Sequence, residues 1–175
     1  MKVWDRPVRL LHWAGVLALA SAWVTSARWT RWHEPIGYAV LGLVAARLAW
    51  GFVGSRHARF ASFVRRPRTT WTYLRLIRAG REPRHLGHNP LGGWMVVALL
   101  ACTFATGATG WLFTTDRFWG DELVACAHGI FAWTLLGLVV AHVAGVLFTS
   151  LRHRENLVAA MFNGTKRAPA QDDIA

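Results

Sequence analysis

LVACAHGIFAWTLLGLVVAHVAGVLFTS, residues 123–150, is an unbroken apolar run that carries two histidines, His128 and His142. A stretch of this length without a charged residue reads as a membrane-crossing helix. The histidines are 142 − 128 = 14 positions apart, a step that falls about 40° short of four helical turns and rises roughly 21 Å. Both imidazoles therefore share a face at different depths. Ionisable side chains inside a bilayer are costly and point to function, and this spacing lets one helix serve two haems.

Working outward, three more apolar stretches have spanning length, residues 8–27, 35–54 and 91–114. The chain is 175 residues, 54% hydrophobic and only 17% charged, which is too apolar for an ordinary soluble domain. The expected architecture is all-α: an integral membrane four-helix bundle. Residues 1–175 read as one transmembrane domain without an internal repeat, with a loop over 55–90 and a short tail over 151–175.

The net charge of +11 is decided by position rather than by total. The 55–90 loop carries Arg56, Arg59, Arg65, Arg66, Arg68, Arg75, Arg78, Arg81 and Arg84 against Glu82. Lys2, Arg6 and Arg9 precede the first span, and Arg152, Arg154, Lys166 and Arg167 follow the last. All three segments fall on one side of a four-span protein, so the positive-inside rule places both termini in the cytoplasm of a bacterial inner membrane. This distribution argues against nucleic acid as a partner and for membrane lipid. Within the loop, Trp71, Leu74 and Ile77 recur at helical spacing beside Arg68, Arg75 and Arg78, as in an interfacial amphipathic helix. Trp29, Trp32, Phe118 and Trp119 form an aromatic belt at the other face.

Ala18-Leu19-Ala20 after a basic start resembles a signal-peptide cleavage site. The apolar run continues to Ala27, however, and cleavage would divide the basic segments between opposite faces, so the first helix is expected to be retained. Cys102 and Cys126 lie in apolar segments and are expected to be buried packing residues. No Cys-x-x-Cys-His motif exists, so any haem is non-covalent.

Depth sorts the histidines. His12, near the cytoplasmic start of the first span, matches His142. His33, at the outer start of the second, matches His128. Pro35 is expected in the first helical turn, which sets His33 at the membrane edge. Two bis-imidazole sites result, and such a site leaves no open axial position on haem iron, favouring electron transfer over oxygen chemistry. Arg47 is a charge deep in an apolar span, and either pairs with a haem propionate or snorkels to the interface. His88 opens the segment Gly87 to Gly93 and either touches a propionate or quinone carbonyl or simply starts a helix. His57, His85 and His153 are expected to be solvated, and His85 with His88 lacks the further ligands that zinc needs. Gly15, Gly37, Gly42, Gly107, Gly110, Gly129, Gly137 and Gly145 suit a flat macrocycle between helices or close helix packing.

Val3 to Trp13, His33-Glu34 before Gly37-Tyr38, Arg47 to Gly54, Gly87 to Gly93, His142 to Gly145 and Leu151 to Leu157 together carry a family likeness. In these segments the chain resembles the bacterial cytochrome b561 family, in the branch shared with the b-type cytochrome subunits of nickel-iron hydrogenases and formate dehydrogenases. The resemblance implies a four-helix bundle holding two b haems, on His12 with His142 and on His33 with His128. It also implies electron transfer between a periplasmic redox partner, a cytochrome c or an iron-sulfur subunit, and membrane quinone. The short first outer loop, about residues 28–34, leaves the outer haem open to a docked protein. One rival is a free-standing superoxide:quinone oxidoreductase, which the nearly neutral outer loops disfavour. The other is a haem-free membrane scaffold.

Overall fold

The computed structural model describes residues 1–28, 30–171 and 173–174. Their regular structure is helical: α1 (Arg6–Arg28), α2 (Thr30–Val53), α3 (Phe60–Phe63), α4 (Pro67–Arg78), α5 (Pro90–Phe113), α6 (Glu122–Arg152) and α7 (Leu157–Asn163). Helices α1, α2, α5 and α6 are long and apolar enough to cross a membrane. The shortest, α1, has 23 residues, or about 34 Å of helix, against a hydrocarbon core of about 30 Å.

What these helices leave exposed identifies their solvent. In α6 the one buried residue is Leu135, while Leu123, Trp133, Val140 and Leu151 are 82%, 67%, 62% and 81% exposed. A helix apolar all round with so little of it covered is stable in hydrocarbon, not in water. The chain is an integral membrane protein.

The helix starts follow from capping chemistry. Asp5 precedes α1 and its carboxylate accepts the backbone N–H of Val8 at 2.8 Å, with Pro7 in the first turn, where its missing N–H is harmless. The start of α2 departs from expectation. It begins at Thr30, which leaves Pro35 inside the helix rather than in its first turn, and carries His33 within the helix. Residues 30–34, expected in the loop before the second span, are therefore helical. Trp29, assigned above to the aromatic belt, lies outside the described residues; Trp32 and Trp119 are 53% and 75% exposed.

Packing divides the chain into two compact units. One comprises Met1–Arg9, Trp50–Val97 and Val140–Ala175. Its core is Val3, Trp4, Val8, Ala58 and Ala160, with Trp50 and Met161 packed against it. The Asp5 carboxylate also accepts Trp50 Nε1 at 3.0 Å and Ser55 Oγ at 2.5 Å, so two of the resemblance-bearing segments meet here. Burial opposes ionisation of Asp5, yet the hydrogen bonds from Ser55, Val8 and Trp50 outweigh it and hold its pKa below the ordinary value. The residues after α6 are more than a tail. Asn156 caps α7 by accepting Ala159 N at 2.8 Å, and Gly164 ends it at φ 82°. Gly164 O then accepts Val3 N at 2.8 Å and Trp4 N at 3.1 Å.

Arg84 is a buried cation within the basic 55–90 segment. Its side chain is 5% exposed and bonded to Glu155 at 2.5 Å, and it also pairs with Asp173. Burying one cation requires such partners, and here they come from segments distant in sequence.

The other unit comprises Leu10–Ala49 and Ala98–Val139. Trp23 of α1 and Trp133 of α6 meet edge to face with ring centroids 5.2 Å apart. Tyr38 of α2 donates to Glu34 at 3.0 Å and lies 3.2 Å from Thr114 Oγ1. Cys102 is buried, but Cys126 is exposed, contrary to expectation. An apolar helix surrounded by lipid gives no sequence signal for which of its faces is covered.

Candidate functional site

Two of the histidines singled out by sequence come together in the second unit. The rings of His33 on α2 and His128 on α6 have centroids 6.1 Å apart and planes at 90°. Each ring is fixed by one nitrogen. His33 Nδ1 lies 3.0 Å from Ala22 O on α1, and His128 Nδ1 lies 2.9 Å from Thr106 O on α5. A carbonyl oxygen only accepts, so both Nδ1 atoms carry a proton, and in a neutral imidazole held this way it is Nε2 that offers the lone pair. Metal-ligating histidines are held this way, the second nitrogen donating to a fixed acceptor.

The separation is the one that two imidazoles would have if they held one metal ion between them. A metal–imidazole bond is about 2 Å and the ring centre lies about 1 Å beyond the nitrogen, so two rings on one metal have centroids about 6 Å apart. The ring planes are free to differ about that axis. Around His128 the helix surface is cut to size: a Cβ at Gly110 would lie 3.0 Å from Cε1 and 3.2 Å from Nδ1 of the imidazole. Thr109 Oγ1 lies 3.4 Å from the same Nδ1.

Gly107 has an ordinary explanation, since a Cβ there would strike Leu41 at 2.6 Å. By contrast, a Cβ at Gly15, Gly37, Gly42, Gly129, Gly137 or Gly145 would meet nothing within 4 Å. Helix packing therefore accounts for Gly107 and Gly110 alone among the glycines named.

His12 on α1 and Arg47 on α2 belong to the same unit as the His33 and His128 rings, whereas His142 on α6 and His88 belong to the other. His128 and His142 both lie in the uninterrupted α6. The His88 ring sits between Trp4 and Phe63, with centroids 4.8 and 4.6 Å away. Sequence reasoning missed the carbonyls of Ala22 and Thr106 as orienting groups. The only trace of them is the polar set Thr106, Thr109 and Gly110 on one face of an apolar helix.

His57 and His85 are not the solvated residues expected. With His88, Arg56, Arg65 and Ser62 they line a cavity of about 130 Å³ in the first unit. Burial, then the charges of Arg65, His153 and Lys166, push the His85 pKa down to about 4. Burial, then Arg56 and Lys166, lower that of His57. Nearby Tyr73 is pushed up to about 12 by its burial and the charge of Glu82.

Four helices long and apolar enough to span a membrane, with a pair of carbonyl-anchored imidazoles among them, suit a membrane b-type cytochrome of electron transfer. Comparison with known proteins gives the same class: the model of the prokaryotic cytochrome b561 family matches residues 3–164. The chain belongs to that family. It is 25% identical over 93% of its length to a protein of Azotobacter vinelandii named "Probable Ni/Fe-hydrogenase B-type cytochrome subunit", of which 86% is covered. A protein of the same name from Bradyrhizobium diazoefficiens is 24% identical, over 94% of this chain and 85% of that one. No solved structure matches the chain. Family membership sets aside the haem-free scaffold.

Proposed function

We propose that the protein is a di-haem cytochrome that passes electrons between a periplasmic redox partner and quinone in the bacterial inner membrane. Haem b, when bound, supplies a one-electron carrier whose iron cycles between two oxidation states. His33 and His128 are assigned to the outer haem, and His12 and His142 to the inner. Two imidazoles would hold each haem, and a haem so held would carry electrons rather than bind oxygen. The observation that carries this reading is the His33–His128 pair, two rings 6.1 Å apart that each commit Nδ1 to a helix carbonyl.

The remaining roles follow from charge and position. Arg47 offers a guanidinium inside α2, suited to a propionate carboxylate. His88, near the start of α5, is assigned to a propionate or to the quinone carbonyl, with Asn89 beside it. The names of the relatives support a membrane-bound complex with a hydrogenase as the source or acceptor of electrons, and an iron-sulfur subunit or cytochrome c is the form of partner that fits.

Reduced-minus-oxidised spectra of the purified wild type, His128→Ala and His142→Ala test the assignment. Each variant is expected to lose one haem and keep the other; undiminished haem in both would contradict it.

A further inference from the structure

The basic cavity of the first unit has no role in the proposed function apart from His88, which also lines it. Arg56, Arg65, His57 and His85 face it, and among the described residues lining it none is acidic. Among the described residues, the nearby carboxylates are committed elsewhere, Glu155 and Asp173 to Arg84 and Glu82 to Arg152 at 2.7 Å. His85 Nε2 is buried with no hydrogen-bond partner among the described residues. A volume of about 130 Å³ is well above the roughly 10–15 Å³ that one water requires. An oxyanion is the ligand such a set of donors suits.

An apolar groove adjoins it. Pro67, Thr70, Trp71 and Leu74, one face of α4, meet Leu91 and Trp94 of α5 around a groove of about 400 Å³. The segment 63–67 is the wall between the two: Phe63 and Arg65 line the cavity, Pro67 lines the groove, and Trp94 Nε1 donates to Arg65 O at 3.0 Å. Trp71 and Trp94 are 54% and 39% exposed in the groove, a cost in water that an acyl chain removes.

We propose that the cavity and groove together hold one anionic phospholipid, its phosphodiester between Arg56 and Arg65 with an N–H from His85, and an acyl chain along Trp71, Leu74, Leu91 and Trp94. The phosphate chemistry alone would also suit a free phosphate; the adjoining groove commits the site to a lipid. Bound there, the lipid fixes α4 to the start of α5.

The test uses the full-length haem protein in micelles containing phosphatidylglycerol or phosphatidylcholine, with bound lipid counted by native mass spectrometry. Wild type is expected to retain one phosphatidylglycerol and not phosphatidylcholine. Arg56→Gln with Arg65→Gln is expected to lower that occupancy by about tenfold with the haem spectrum unchanged, and the corresponding pair of Lys substitutions to restore most of it. Leu74→Gln, in the half-buried wall of the groove, is expected to lower it with every charge in place, which keeps the test decisive should the double Gln variant not fold. Equal retention of both lipids, or tight binding of inorganic phosphate that displaces the lipid, would overturn the proposal. So would loss of haem with phosphatidylglycerol kept in the double Gln variant, which would give the cavity to the haem propionates.

Discussion

Gly110 sets how closely α5 approaches the His128 imidazole. An alanine there places Cβ 3.0 Å from Cε1, tighter than van der Waals contact, so the ring has to shift by a few tenths of an ångström. Gly110→Ala is expected to retain the outer haem but shift its midpoint potential and broaden its α-band, leaving the inner haem unchanged, as a potentiometric titration would show. An unmoved spectrum would mean that the ring tolerates the shift. His33 shows where the sequence misleads at this scale. Its place beside His128 was legible, but Pro35 pointed to a helix beginning later than it does, because a proline one turn inside a helix leaves the same local signature as one in its first turn. The carbonyl partners of His33 and His128 were not legible, since any helix residue presents a carbonyl and only the packing chooses Ala22 and Thr106.

At the scale of elements, the four spans and α4 could be read directly, the spans from apolar length and α4 from its 3.6-residue period. Helix α7 could not. It has seven residues, too few to persist alone, and exists because Asn156 caps it and Gly164 turns the chain back onto Val3 and Trp4. Gly164 stands at φ 82°, and a Cβ there would lie 2.7 Å from Trp4 O. Gly164→Ala is therefore expected to destabilise the pairing of residues 1–4 with 164–166 by more than the ~1 kcal/mol lost with a helix cap in Asn156→Ala. Hydrogen exchange at Val3, Trp4 and Lys166 measures it, and equal exchange in the two variants would contradict the ranking. Arg84 is the larger case. Removing it takes from Glu155 and Asp173, acids with 7% and 6% side-chain exposure, the cation that bonds both, while Lys166 and Arg167 still act on them, so Arg84→Ala is expected to cost no more than the lower end of about 3–5 kcal/mol. A fall of only a few tenths in unfolding free energy would show the pair to be solvated in practice.

For the molecule as a whole, charge distribution gave the membrane orientation proposed for it, while the gathering of His57, His85 and His88 around one cavity depended on folding and was hidden. That gathering makes stability depend on pH. The unfolded His85 titrates near 6.5 and the folded one at about 4, so between these values the unfolded chain takes a proton that the folded chain refuses. Stability is thus intact above pH 6.5 and falls as the pH drops toward 4. His57 and His153, also lowered, act with the same sign. In micelles without anionic lipid, thermal unfolding is expected to show this decline, and His85→Gln to flatten part of it; a curve identical to wild type would assign the slope to other groups.

The central claim is that four histidines hold two haems in one chain. Its most direct test is the ratio of haem to polypeptide, from the pyridine haemochrome assay and quantitative amino-acid analysis of the purified protein. The account predicts two haems b per chain. One haem, or none, after expression with ample haem would contradict it.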